Sequence, residues 1–166
     1  MEEKISPQFQ IHGVALEKCG VGILLLGEAG SGKSSVALTL LKRGARLIAD
    51  DAVMIRKDRE GRLAAKPHPQ VRGSLHVRHK GLIRVAEVFG AKALSDSCFI
   101  DICFRLNDFC VDRISFFDYD IPGSLGIAMR RLPVAATRKR RLEGTADSVE
   151  ESVWEFCHSG TASNII

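Results

Sequence analysis

Two rhythms of apolar and polar positions run through the first third of the chain. Over Gln8–Leu16, Phe9, Ile11, Ala15 and Leu16 supply the apolar positions of a strand. Glu17-Lys18-Cys19-Gly20 reads as a turn, and Val21–Leu26 is a continuous apolar run of strand length. Such a run is the pattern of a strand covered on both faces. After a glycine-rich segment the period changes. Val36, Ala37, Leu40 and Leu41 recur at helical spacing, which predicts a helix from about Ser34 to Arg43. Lys42 and Arg43 fall in its last turn, and Gly44 is well placed as the glycine that ends it.

A third strand starts near Arg46, and Asp50-Asp51 either interrupts or continues it before Val53–Arg56. Asp58–Gly61 reads as a hairpin turn and Leu63–Lys66 as the returning strand. Pro67 and Pro69 mark a loop, and Leu75–Arg78 and Cys98–Leu106 are further strands. Residues 148–158 predict a closing helix with Val149, Val153, Phe156 and Cys157 on one stripe and Asp147 or Ser148 as cap. No repeat, low-complexity tract or linker divides the chain. The expectation is one mixed α/β domain over residues 1–166, a sheet at its centre and 161–166 frayed.

Composition narrows the class. Of 166 residues, 45% are apolar and 27% charged, close to the average globular protein, which excludes a disordered or fibrous chain. The net charge of +4 does not by itself argue for nucleic acid. The longest apolar run is far short of the ~20 residues of a membrane-spanning helix. The acidic opening Met1-Glu2-Glu3-Lys4 lacks an apolar stretch of signal-peptide length. Both features predict a cytoplasmic protein without a membrane partner. Cys19, Cys98, Cys103, Cys110 and Cys157 form no C-x-x-C pair, so they are read as reduced core thiols.

The chemistry lies between the apolar run and the helix. Gly27-Glu28-Ala29-Gly30-Ser31-Gly32-Lys33-Ser34 matches G-x-x-x-x-G-K-[ST], the Walker A pattern, in full. Three glycines let successive N–H groups turn inward onto phosphate oxygens. The helix that follows adds its unpaired N–H groups and positive dipole end. Lys33 brings a charge to the β/γ-phosphates, and the Ser34 hydroxyl suits Mg²⁺. Residues 27–35, Ser35 included, are therefore the candidate site for a nucleoside triphosphate. No N-K-x-D element for guanine accompanies them.

Asp50 and Asp51 follow Leu47-Ile48-Ala49 at the end of a strand expected to return beside the one that precedes the glycine-rich loop. Neighbouring strand residues point to opposite faces, so one acid can face the nucleotide while the other faces sideways. A carboxylate there can hold Mg²⁺ or its waters, or accept the proton of an attacking hydroxyl.

With these residues in view, the chain resembles the catalytic domain of the HPr kinase/phosphorylase family. The resemblance rests on His12-Gly13-Val14, the phosphate loop, and Leu41-Lys42-Arg43-Gly44-Ala45-Arg46-Leu47-Ile48-Ala49-Asp50-Asp51-Ala52-Val53. It is specific over roughly residues 10–56, looser to about residue 90 and weak beyond, and the chain also resembles the short, catalytic-domain-only α-proteobacterial members. It implies an α/β fold with a P-loop-containing mixed sheet, like the HPr kinase/PEP carboxykinase-like catalytic domain. It also implies ATP- and Mg²⁺-dependent phosphorylation of a serine on an HPr-type phosphocarrier of the phosphotransferase system. The same site can run the reverse reaction, in which inorganic phosphate attacks phosphoserine and pyrophosphate leaves. By this resemblance Lys33 binds the phosphates, and Ser34 and Asp51 serve the metal. Asp50 takes the serine proton, supported by His12 and Asp51. An oligomer follows only from family analogy.

The family's second signature reads roughly L-E-I-R-G-x-G-I-I-x-V. Here Leu75–Val85 carries His76 in place of the Glu assigned to the metal and His79 in place of the first Gly, while Arg78 and Gly81 remain. The family's later P-V-R-P-G loop corresponds only to Leu132-Pro133-Val134-Ala135-Ala136. These departures keep two alternatives open: a nucleotide-binding regulatory protein with weak or no catalysis, and a kinase of a small-molecule hydroxyl. Arg130-Arg131 and Arg138–Arg141 form a basic stretch suited to an acidic protein partner, but no aromatic residues interleave it as a nucleic-acid surface would require. Phe116-Phe117 is expected in the core or at a subunit contact.

Overall fold

The computed structural model describes residues 8–107, 128–133 and 138–159. Cys110, Phe116-Phe117, Val134–Ala136 and the 161–166 tail lie outside the described residues, as do the side chains of the basic stretch.

The chain begins with a hairpin of β1 (Gln8–Lys18) and β2 (Val21–Gly27). Cys19 and Gly20 alone make the turn, both with positive φ (52° and 77°), the geometry of a tight two-residue hairpin. Glu17 and Lys18, expected in the turn, therefore extend β1. Helix α1 (Lys33–Lys42) follows the glycine-rich loop. It closes with paired bonds from Gly44 N–H to the Leu41 carbonyl and from Ala45 N–H to that of Leu40, with Gly44 at φ 88°. This Schellman stop needs a residue that tolerates the left-handed region, and glycine is the least costly choice.

β3 (Arg46–Lys57) runs unbroken through Asp50-Asp51 and pairs antiparallel with β1. It does not return beside β2, as expected from the sequence. The described sheet has the order β7-β4-β3-β1-β2-β8-β9, so β1 stands between β2 and β3. The hairpin partner already occupies that edge of β2, and β8 takes the other in parallel. β4 (Leu63–Pro67) returns along β3. A separate hairpin of β5 (Ser74–Val77) and β6 (Gly81–Arg84) leads into the short helix α2 (Val85–Phe89).

The single strand expected over Cys98–Leu106 divides into β7 (Cys98–Phe99), beside β4, and β8 (Ile102–Asn107), beside β2. The break is fixed at Asp101, whose carboxylate accepts the Gly22 N–H at 2.8 Å while its own N–H bonds the Gly22 carbonyl at 2.9 Å. β9 (Ala128–Pro133) extends the sheet in parallel.

The closing helix α3 (Arg138–His158) starts ten residues before the expected start at Ser148. Asp147 and Ser148 therefore lie inside it: Asp147 pairs with Arg43, and the Ser148 hydroxyl bonds the Gly144 carbonyl. Its buried stripe is Thr145, Ala146, Val149, Ser152 and Val153, with Phe156 half-buried. Cys157 is exposed, as is Cys19, so among the described cysteines Cys98 and Cys103 alone fit the expectation of core thiols; burial pushes both thiols up to about 12.

Two apolar clusters flank the sheet. One joins Val21, Ile23, Leu25 and Phe104 to Val36, Leu40 and Leu41 of α1 and Val149 and Val153 of α3. The other gathers Ile11, Leu24, Ile48, Val53 and Ile55 with Cys103, and its members among the described residues include none from a helix. Each fully buried leucine or isoleucine contributes about 1.5–3 kcal/mol relative to exposure. β2 feeds both clusters, which is why its sequence is apolar without alternation. That rigid strand delivers the glycine-rich loop at its end. Among the described residues no helix is long and apolar enough to cross a membrane.

Candidate active site

Between β2 and α1 the backbone curls through Gly27, Gly30 and Gly32, all with positive φ (154°, 83° and 93°). A Cβ on Gly27 would lie 2.5 Å from the Ser31 hydroxyl and 2.6 Å from the Leu106 carbonyl, so the loop closes this tightly only around glycine. Ser31 N–H bonds the Glu28 carbonyl at 3.0 Å, forming the turn. Ala29 is exposed at its crest. Gly32 is the N-cap of α1 and offers no side-chain oxygen, so no side chain caps the first-turn N–H groups. A loop of this curvature at an uncapped helix start is shaped for phosphate oxygens.

Lys33 folds back over the loop. Its ammonium donates to the Gly27 carbonyl at 2.7 Å and the Glu28 carbonyl at 2.9 Å, with the Ser31 hydroxyl at 3.5 Å. Only 7% of Lys33 is exposed, so its charge is held at the loop rather than swinging in solvent. Ser34, next along, turns the other way: its hydroxyl donates to Asp50 Oδ1 at 3.0 Å. Ser35 sits half-buried behind it, its carbonyl accepting the Thr39 hydroxyl.

The two aspartates separate sharply. Asp50 is 6% exposed, and its second oxygen accepts the His76 backbone N–H at 2.8 Å. Burial raises its carboxyl above the ordinary range, while the bonds from His76 and Ser34 pull it back. Asp51 stands outside. Its side chain is 71% exposed, its φ is +68°, and its Oδ1 lies 2.7 Å from His12 Nδ1. His12 was expected against Asp50, but the register pairs it across from Ala52, which brings its ring to Asp51. Ser34 likewise meets Asp50, not the Asp51 with which it was grouped for the metal. A non-glycine residue at positive φ inside a strand is costly, and such outliers concentrate at functional sites.

The phosphate cradle fits a nucleoside triphosphate by its glycines, its uncapped helix start and Lys33. Among the described residues no group of three or more His, Cys, Asp and Glu converges as a metal centre. The Ser34 hydroxyl and Asp50 carboxylate are a pair of hard oxygens. That suits Mg²⁺, which takes one or two protein oxygens and fills its shell with phosphate and water. His76 contributes its backbone N–H to this corner, and its side chain is exposed. A backbone contact of this kind has no signature in the residue's identity, so the sequence held no sign of it.

Comparison with known proteins places this geometry in company. Residues 3–150 match the family model described as HPr Serine kinase C-terminal domain. The HPr kinase/phosphorylase of Caldanaerobacter subterraneus is 38% identical over 133 residues, covering 74% of this chain and 44% of that protein. That of Clostridium tetani is 41% identical over 120 residues, covering 72% of this chain and 38% of the relative. The chain thus spans less than half the length of these curated relatives. The solved Hpr(Ser) kinase/phosphatase of Coxiella burnetii shares the fold with a TM-score of 0.67 at 22% identity, covering 91% of this chain and 95% of that one.

Proposed function

The chain belongs to the HPr serine kinase C-terminal domain family, and from that premise we propose that it is an ATP-dependent protein-serine kinase acting on an HPr-type phosphocarrier, able also to run the phosphate-dependent reverse reaction. Residues 27–35 hold the triphosphate. Loop N–H groups take the phosphate oxygens, and the Lys33 ammonium exchanges the Gly27 and Glu28 carbonyls for β- and γ-phosphate oxygens. Mg²⁺, when bound, neutralises charge on the phosphates. Ser34 and Asp50 are the residues that would hold it.

The hydrogen bonds support a division of labour that reverses the expected order of the two acids. Asp50 is buried, with both oxygens occupied by Ser34 and His76, a setting suited to an ion or its water. Asp51, next along the strand, is exposed, where a protein substrate can reach it. In the forward direction the substrate serine oxygen bonds to the γ-phosphorus, the bond to the bridging β,γ-oxygen breaks, and ADP leaves. The serine proton passes to the Asp51 carboxylate, and His12, donating from Nδ1, holds that carboxylate in orientation. In reverse, an oxygen of inorganic phosphate bonds to the phosphoserine phosphorus, the bond to the serine oxygen breaks, Asp51 passes the proton it takes from the attacking phosphate to that serine oxygen, and pyrophosphate leaves. A soluble phosphocarrier as substrate implies a cytoplasmic site of action, and assembly into a homo-oligomer follows the family.

The observation that carries this reading is the Lys33-laced loop with Ser34 hydrogen-bonded to Asp50. Incubation with γ-labelled ATP, Mg²⁺ and an HPr-type carrier tests it. Label on a carrier serine is the expected result. Label appearing only on added metabolites, or nucleotide bound without transfer, would replace it with one of the two alternatives.

A further inference from the structure

We propose that Arg78 is a second cation of the phosphate loop, reaching the bound polyphosphate from the side opposite Lys33; this rests on the loop's being the triphosphate site. The placement begins with strand alternation. On β5, Leu75 and Val77 point into the core, so His76 and the residue after Val77 share the outward face. β5 packs on α1 and β3, the two elements that carry Ser34 and Asp50, and the His76 N–H bond to Asp50 fixes its height over the site. The chain then turns sharply. Lys80 N–H bonds the Val77 carbonyl at 3.0 Å, and His79 holds φ +69° at the third position, as a type II turn requires. Arg78 occupies the second position of that turn and is aimed at the loop. A Cβ built on Gly30 would lie 3.6 Å from Arg78 Nη1.

Several arginines elsewhere in the chain are neutralised by carboxylates. Arg43 is held by Asp147 and Glu150, Arg46 by Glu17, Arg62 by Asp58 and Arg72 by Asp96. Arg78 is exposed and, among the described residues, makes no hydrogen bond or ion pair. A guanidinium held by a tight turn over an anion cradle, with no carboxylate to neutralise it, is suited to bidentate phosphate recognition. Gly30 also gains a reason beyond its own φ: any side chain there would fill the gap between loop and guanidinium. Lys33 approaches from within the loop, and Arg78 closes over its open side. Together they would hold the phosphate chain whether the leaving group is ADP or pyrophosphate.

Equilibrium binding of Mg·ATP and of inorganic pyrophosphate to the full chain tests this, using Arg78→Gln, Arg78→Lys and, as a control, Arg84→Gln on the neighbouring strand. Arg78→Gln should weaken both ligands by roughly 10- to 100-fold. Arg78→Lys should recover only part of the loss, because an ammonium is a point charge without the fork, and Arg84→Gln should bind as wild type. Thermal melting should be unchanged, since Arg78 has no partner to lose; if Arg78→Gln melts early, Arg78→Lys carries the comparison. Wild-type affinity in both Arg78 variants would overturn the proposal and leave the loop reading standing. Failure of the wild-type chain to bind either ligand would overturn both.

Discussion

His12 Nδ1 lies 2.7 Å from Asp51 Oδ1, although the strand register sets His12 across from Ala52 and Asp51 across from Gly13. The pair meets on the diagonal, helped by the positive φ of Asp51, while Asp50 one residue earlier is sealed against Ser34 and His76. Two adjacent carboxylates thus have different environments and different uses. Asp51→Asn should lower phosphate transfer about 10²- to 10⁴-fold with ATP affinity close to wild type. Asp50→Asn should instead weaken Mg²⁺-dependent ATP binding. Transfer to an HPr-type carrier, measured beside calorimetric ATP titrations, separates the two. Full activity in Asp51→Asn with lost turnover in Asp50→Asn would restore the order expected from the sequence.

Lys33 bridges the loop through the Gly27 and Glu28 carbonyls. Lys33→Ala should reduce ATP affinity by roughly 10- to 100-fold, the loss of charge-assisted bonds to phosphate. Titration with ATP and Mg²⁺ checks this, and unchanged affinity would remove the loop from the nucleotide site.

Gly22 lies where β2 passes under the β7–β8 crossing, and a Cβ there would overlap the Phe99 carbonyl. The obstacle is backbone, tied down by the paired bonds between Gly22 and Asp101, so it cannot swing aside. Gly22→Ala should cost about 3 kcal/mol through overpacking. A denaturant midpoint equal to wild type would show that the crossing does not press on β2.

Glu150 ties α3 to the end of β1 and the stop of α1, 2.6 Å from the Lys18 ammonium and 2.8 Å from the Arg43 guanidinium. Burial would raise its carboxyl, but the hydrogen bonds from Lys18 and Arg43 outweigh that and hold it below its ordinary 4.5. A carboxyl with a depressed folded value stabilises fully above its unfolded value and loses that contribution as pH falls through the folded one. The stability gap between wild type and Glu150→Gln should therefore be flat from neutral pH down to about 4.5 and shrink below it. Its size should be about 1 kcal/mol or less, because water screens a partly exposed network. Denaturant unfolding across pH checks this, and a gap constant down to the acid limit would contradict it.

Local chemistry alone made much of this protein readable. The apolar run of β2, the glycine loop, the period of α1 and its Gly44 stop each depend on residues within a few positions of one another. Backbone sterics and side-chain period therefore announced them. Gly27–Ser35, Asp50 and Asp51 were named from local patterns and His12 from the family resemblance, while the His76 contact had no signature. The partnerships among these residues were not legible. Insertion of β1 between β2 and β3, the break at Asp101 and the early start of α3 depend on hydrogen bonds and burial supplied by distant segments. The separate fates of Asp50 and Asp51 come from the same source. One was buried by α1 and β5 and the other left in water beside His12, because desolvation and register are properties of the packed sheet and not of an Asp-Asp dipeptide.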